Sequence, residues 1–239
     1  MTKRLRAYPP IVGVVIPTLN EAEFLPALLG DLRPVVVPLD IVVADGGSSD
    51  GTLAAASTAG VRTVVAPRGR AAQMNAGARA VAGRWLLFLH ADCRLPPRAR
   101  RALLTAVVDE PELDAAVFGF AIDLPPGWKH FIEMGQAVRQ ALYGLPYGDQ
   151  GLLVRRELFH AVGGFPDVPL LEDVAMLRAL GRRARVRTLP GTLLTSGRRY
   201  QRDGVVRTWL RHTAIILLYF LGVAPRRLAH WRDRGPARG

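Results

Sequence analysis

Near its start the chain has two runs rich in β-branched residues, and each stops abruptly in a polar loop. The first is Val14-Val15-Ile16, followed by Pro17-Thr18-Leu19-Asn20-Glu21; the second is Ile41-Val42-Val43-Ala44, followed by Asp45-Gly46-Gly47-Ser48-Ser49-Asp50-Gly51-Thr52. An unbroken apolar run bounded by turn residues reads as a strand buried on both faces, which implies a parallel sheet covered by helices on each side. Open sheets of this kind bind ligands outside the carboxyl ends of their strands. Asn20, Glu21 and Asp45 therefore fall on one rim.

The same grammar continues along the chain. Strand patterns at 11–17, 39–44, 61–66, 85–90 and 115–122 alternate with helical patterns at 21–33, 50–59, 71–81 and 97–108, and Asp50 is placed to cap the second helix. That β-α-β order implies right-handed crossovers and an α/β fold with a mostly parallel sheet flanked by helices. After Pro125 the order changes to a helix at 128–143, a loop at 148–151, a short strand, a helix around 157–162, a loop at 163–166, a helix at 171–181 and an edge strand at 186–189. With 239 residues, 49% of them hydrophobic, the chain suits one domain, expected over 1–204, and a tail over 205–239.

The tail is apolar over 205–223 but interrupted by Arg207, Arg211 and His212. Its uninterrupted part, 213–224, is about half of the ~20 residues that span a bilayer. Five arginines follow, from Arg226 to Arg238. Two placements fit this apolar and basic helical tail: docking on the domain, or contact with a membrane surface.

Composition excludes several classes. A single cysteine, Cys93, rules out a disulfide framework and a cysteine-based zinc site, and points to a reducing compartment. The basic start from Lys3 to Arg6 leads into Pro9-Pro10, not an apolar core, so it does not read as a signal peptide. A cytoplasmic location is expected, with the tail allowing peripheral contact on the inner membrane face. The net charge of +12 comes mainly from arginines along the whole chain, a pattern that a high-GC genome produces together with abundant alanine, glycine and proline. Aromatics make up 7% and do not interleave with a basic stripe, which argues against nucleic acid as a partner.

The strings at 14–21 and 41–52 resemble the opening of family 2 glycosyltransferases, which have the GT-A fold and use a nucleotide-sugar donor. The resemblance covers roughly 11–200, with its strings in the family's order. It implies that Glu21 and Asp45 hold the nucleoside, since carboxylates accept from base N–H and ribose hydroxyl groups, with Pro17, Thr18, Asn20 and Gly46 beside them. It also implies a divalent metal on the donor diphosphate, Mn2+ or Mg2+. The family's Asp-x-Asp motif corresponds here to His90-Ala91-Asp92. Asp92 is then the metal ligand and Ala91 lies at the nucleotide, while His90, which departs from the motif, either contacts the donor sugar or metal or packs at the strand end. The stretch from Gly69 to Gly77 places Arg70 and Asn75 near the nucleotide, with a helix N-terminus able to meet an anion.

In the second half, Gly163-Gly164-Phe165 followed by Glu172-Asp173 resembles the family's Gly-Gly-Phe loop and acidic pair. Asp173 is then the base for the acceptor hydroxyl, with Glu172 raising its pKa or orienting it. Asp149 and Gln150 would face the acceptor or donor sugar, and Arg198 and Arg199 the diphosphate, Arg199 being favoured. Taken singly, each of these residues also has a plainer reading as a loop cap, a helix-start acid or a surface cation. The implied activity is inverting sugar transfer from a UDP- or GDP-sugar to a hydroxyl acceptor. The chain also resembles a compact bacterial subgroup with some members linked to arsenosugar or small-glycoside pathways. A polyprenyl-phosphate sugar synthase would fit the same fold and the apolar tail, and a non-catalytic nucleotide-binding scaffold would fit the same sheet. A sugar-phosphate nucleotidyltransferase would need Gly-x-Gly-x-Arg where Pro17-Thr18-Leu19-Asn20 stands.

Overall fold

A computed structural model of the protein describes residues 11–143 and 150–233. Strand β1 (Val12–Thr18) is buried along its whole length because it is flanked by strands and covered on both faces. It runs parallel to β2 (Leu39–Asp45) on one side and to β4 (Trp85–Phe88) on the other, and β3 (Arg62–Val65) extends β2 in parallel. Beyond β4 the sheet becomes mixed. β7 (Leu152–Arg155) is antiparallel to β4 and to β6 (Ala115–Asp123), β8 (Val186–Ser196) is parallel to β6, and the short β5 (Cys93–Arg94) closes the edge antiparallel to β8. Among the described residues the sheet order is β3-β2-β1-β4-β7-β6-β8-β5.

The two-sided burial is visible residue by residue. Val12, Val14 and Ile16 pack on one face with Leu25, Leu28 and Leu32 of α1 (Leu25–Leu32) and Leu103 of α4 (Pro97–Val108). Val15 packs on the other face with Met74 and Ala78 of α3 (Arg70–Ala80) and Leu177 of α7 (Glu172–Gly181). Side chains alternate along a strand, so an unbroken apolar run is what two covered faces require. Helix α3 lies so close to β1 that a Cβ on Gly77 would overlap Val15. Gly77→Ala should therefore cost about 1–3 kcal/mol despite alanine's better helix propensity, read as a lower urea midpoint with an unchanged m-value.

Several elements differ from the sequence expectation. Helix α1 begins at Leu25, not at residue 21; residues 21–24 form a turn in which the Phe24 and Leu25 N–H groups donate to the Glu21 carbonyl. Strand β8 continues through Pro190-Gly191 to Ser196 as an internal strand between β6 and β5, whereas an edge strand ending at 189 was expected. A Cβ on Gly191 would stand 2.6 Å from Ala99 Cα, so this glycine permits α4 to approach, and a register shift between Val117 and Gly119 absorbs the irregularity. The two-residue β5 has no periodicity to reveal it. At α2 (Thr52–Thr58), Asp50 does bond the first turn, accepting from the Thr52 N–H at 2.9 Å, and it also accepts from Ala22 N–H at 3.1 Å.

Two helices occupy the tail, α9 (Val205–Phe220) and α10 (Pro225–Asp233). They pack on the sheet domain through Trp209 against Phe131 of α5 (Pro126–Tyr143), through Ile216 against Val174, and through Ile215 and Leu228 against Leu170. Among the described residues no helix is long and apolar enough to cross a membrane.

Candidate active site

The carboxyl ends of β1, β4 and β8 open into a cleft of about 300 Å³. Glu21 enters it from the turn after β1, Asp92 from the loop after β4, and Arg198 from the start of α8 (Arg198–Asp203), directly after β8. Arg68 and Arg70 reach it from the N-terminus of α3. Topology, not sequence proximity, brings these groups together, because the strand ends converge on one rim.

Arg198 is the centre of the arrangement. Its guanidinium donates to Glu21 Oε1 at 2.6 Å, lies 3.1 Å from Asp92 Oδ2, and stacks over the Phe24 ring at 4.4 Å. Burial disfavours the charge on Arg198, but Glu21 and Asp92 outweigh that and hold its proton more firmly than usual. Burial pushes the Glu21 carboxyl above its ordinary range, and Arg198 offsets this only in part. Glu21 Oε2 is buried with no hydrogen-bond partner among the described residues. A buried acceptor without a donor is unusual in a folded protein, and here it sits beside a second carboxylate in an open cleft.

Asp173 stands in a separate small recess, walled by Met74, Phe88, Phe165 and Leu177. His90 lines both the recess and the cleft, so it marks their junction. Glu172, 4% exposed, forms an ion pair with Arg70 at 3.1 Å and so ties the start of α7 to the start of α3. Leu171, just before that turn, adopts φ 64°, a left-handed conformation that costs a branched residue energy and is held by its surroundings.

The cleft thus gathers Pro17, Thr18, Glu21, Arg70, His90, Ala91, Asp92, Arg198 and Arg199, and the recess holds Asp173. Other expected site residues have different work. Asp45 is 1% exposed, and its oxygens accept from the Thr18 and Ser48 hydroxyls and from the Gly47 and Ser48 N–H groups. It shapes its own loop and does not line the cleft. Gly46 serves packing, since a Cβ there would meet the Gln73 amide at 2.9 Å. Asn20 staples the two loops, its carbonyl accepting from Ser49 N–H at 2.9 Å. Asn75 clamps the backbone of Phe165, donating to its carbonyl at 2.8 Å and accepting from its N–H at 2.9 Å, which fixes the Gly-Gly-Phe loop. Gln150 is 1% exposed and donates to the Phe118 carbonyl at 2.9 Å, inside the fold. Asp149 lies outside the described residues.

Burial pushes the Asp45 carboxyl up, but the four donors around it prevail and hold it below the usual carboxylate range. A lowered value stabilises the folded state above the ordinary carboxylate pKa of about 4, and that contribution fades as pH falls through the lowered value. Asp45→Asn should therefore lower the urea midpoint most at pH 7, with the gap from wild type narrowing below about pH 4.

The sequence reading missed Arg68, Thr195 and His212 in the cleft wall, whereas Tyr200, which lines it too, is the aromatic end of the Arg198-Arg199 string. His212 carried a signal, as a polar break in an apolar helix; Arg68 and Thr195 carried none. It also missed Gln73, which is buried and donates to the carbonyls of Thr18 and Ala44, satisfying the ends of β1 and β2 together.

A sheet of this order, with an acidic rim at the ends of β1 and β4 facing arginines, has the architecture of the GT-A glycosyltransferases. Residues 13–163 match the model of glycosyl transferase family 2, and the chain belongs to that family. The PGL/p-HBAD biosynthesis glycosyltransferase of Mycobacterium bovis is 31% identical over 166 residues, 65% of this chain and 63% of that protein. This chain thus spans a little under two thirds of that relative's length. Among solved structures, the mannosyltransferase of Pyrobaculum calidifontis in complex with GDP-Man and Mn2+ has a TM-score of 0.57 at 25% identity, covering 78% of this chain and 57% of that one. Glucosyl-3-phosphoglycerate synthase of Mycobacterium tuberculosis, in complex with Mn2+, UDP and glucosyl-3-phosphoglycerate, has a TM-score of 0.59 at 20% identity, covering 78% and 72%.

Proposed function

We propose that the chain transfers a sugar from a UDP- or GDP-sugar to a hydroxyl acceptor, with inversion at the anomeric carbon. The observation that carries this reading is the set Glu21–Arg198–Asp92 at the strand ends. It combines two carboxylates, one with a buried oxygen awaiting a partner, and an arginine able to turn from them to a phosphate. The ligands named in the Pyrobaculum and Mycobacterium structures support a nucleotide-sugar donor and a divalent cation.

Asp92 is the proposed ligand for Mn2+ or Mg2+, and the orphaned Glu21 oxygen beside it fits a cationic neighbour. Among the described residues there is no group of three or more metal-ligating side chains, so the remaining positions fall to diphosphate oxygens and water. Such a cation, when bound, neutralises charge on the departing diphosphate. Pro17, Thr18 and Ala91 face the nucleoside. Arg198, turned from the carboxylates, and Arg199 bind the diphosphate as forked donors. Asp173 accepts the proton of the acceptor hydroxyl as its oxygen attacks the anomeric carbon from the face opposite the diphosphate. Glu172, through Arg70, holds the two helix starts that frame this approach.

Calorimetric titration with UDP and GDP, with and without Mn2+, tests the reading. One nucleotide should bind with metal dependence, and Asp92→Ala should remove that dependence. Binding of neither nucleotide would sink the proposal.

Peripheral membrane contact belongs to the same reading. Val206, Leu210 and Leu217 follow spacings that place them on one face of α9, with Leu221 just past its end, and the four are between 44% and 80% exposed. Residues 205–231 contain Arg207, Arg211, Arg226 and Arg227 and no acidic residue, which suits an anionic surface.

A further inference from the structure

A second, shallower opening adjoins the cleft. It is a groove of about 540 Å³ between the start of α5 and the α8–α9 junction. Its walls are mainly hydrocarbon, from Leu124, Pro125, Trp128, Val205 and Val206, with Arg207 at the rim. Trp128 and Val206 are 43% and 49% exposed, large apolar surfaces to leave in water at one place. Tyr200 lines both the groove and the cleft, with its ring edge-on to His212 at 5.9 Å. The groove therefore abuts the cleft, with a single aromatic side chain shared between them. Val206 also begins the exposed stripe of α9, so the far end of the groove opens onto the face with membrane character.

Resting on the transferase reading above, we propose that this groove is the acceptor site, and that the acceptor is amphipathic: a hydroxyl on an apolar body, drawn from the membrane surface that α9 touches. The apolar body would lie along Trp128, Val205 and Val206, and its hydroxyl would pass Tyr200 into the cleft. Arg207 would favour an acceptor with an anionic group near that hydroxyl. A sugar, a polyol or another wholly polar acceptor would leave Trp128 and Val206 without a partner.

The test uses 4-hexylphenol as the probe and phenol as its short control, titrated into the full chain by calorimetry. Each buried methylene strengthens binding up to about four-fold, so in an open groove 4-hexylphenol should bind at least about ten-fold more tightly than phenol. Val206→Asp should abolish that difference while UDP or GDP binding stays unchanged. Trp128→Ser serves as the second variant should Val206→Asp fold poorly. Leu217→Asp, on the stripe but outside the groove, should weaken sedimentation with phosphatidylglycerol vesicles and leave 4-hexylphenol binding intact. Equal affinity for the two phenols, or an unchanged preference in both groove variants, would overturn the acceptor site. Loss of vesicle binding in the groove variants, with the wild-type protein itself showing no affinity for 4-hexylphenol, would overturn it too, leaving a docking patch only. Because nucleotide binding is read separately, wild-type protein that binds nucleotide but shows no chain-length preference defeats this inference alone, and protein that binds no nucleotide defeats the transferase reading.

Discussion

Asp173→Asn is expected to slow sugar transfer by about 10³-fold while leaving nucleotide affinity within about two-fold of wild type. Asparagine keeps the shape of the side chain but cannot take a proton. The split between the two readouts follows from the geometry, because Asp173 lines the recess beneath His90 and not the wall of the cleft. The loss should therefore appear in single-turnover chemistry and not in the dissociation constant of UDP or GDP. A fall in rate of less than about ten-fold would remove Asp173 from the role of base, since positioned general bases contribute more than that.

The second large effect is expected at Arg198. Arg198→Ala should weaken UDP or GDP binding in the presence of Mn2+ by about 10²-fold and lower transfer by a further 10-fold or so. Two effects add here. The diphosphate loses a forked donor, and Glu21 and Asp92 are left facing each other without the cation that now lies 2.6 and 3.1 Å from them. Arg198→Lys should recover only part of the loss, because an ammonium is a point charge and cannot bridge two oxygens in a plane or stack on Phe24 as the guanidinium does. Arg199→Ala should be milder, since Arg199 lines the cleft without an ion pair to either carboxylate; comparing the two variants by calorimetry decides between them. Equal losses would show that the Glu21 and Asp92 contacts of Arg198 carry no special weight.

Much of this site was legible in the sequence because strand ends are legible. The runs before Pro17, Asp45 and His90 are apolar without a break, so their ends, and hence the rim, could be located from pattern alone. What the pattern could not assign was which polar atom meets which. Asp45, Asn75 and Gln150 each offer the atoms a ligand would need, but the backbone groups of Ser48, Phe165 and Phe118 reach those atoms first. Adjacent residues pose the same difficulty. Arg198 and Arg199 are equivalent as a string, and only the direction in which the chain leaves β8 turns Arg198 toward the carboxylates. Strand β8 itself was read too short because Pro190-Gly191 carries a turn signal, and only packing against Ala99 explains why the strand continues through it.

The span between Glu21 and Arg198 also bears on how the protein is made. These partners stand 177 positions apart, and Arg198 arrives only when β8 has taken its place between β6 and β5. During synthesis the parallel half of the sheet emerges first, carrying Glu21 and Asp92 with no counter-charge from the unsynthesised remainder. In that interval Arg68 and Arg70, at the start of α3, are the cations already in the chain that reach the rim. The ion pairs of Arg198 with Glu21 and Asp92 are thus a property of the last stage of assembly, and a nascent or prematurely ended chain, however well its first strands pair, is without them.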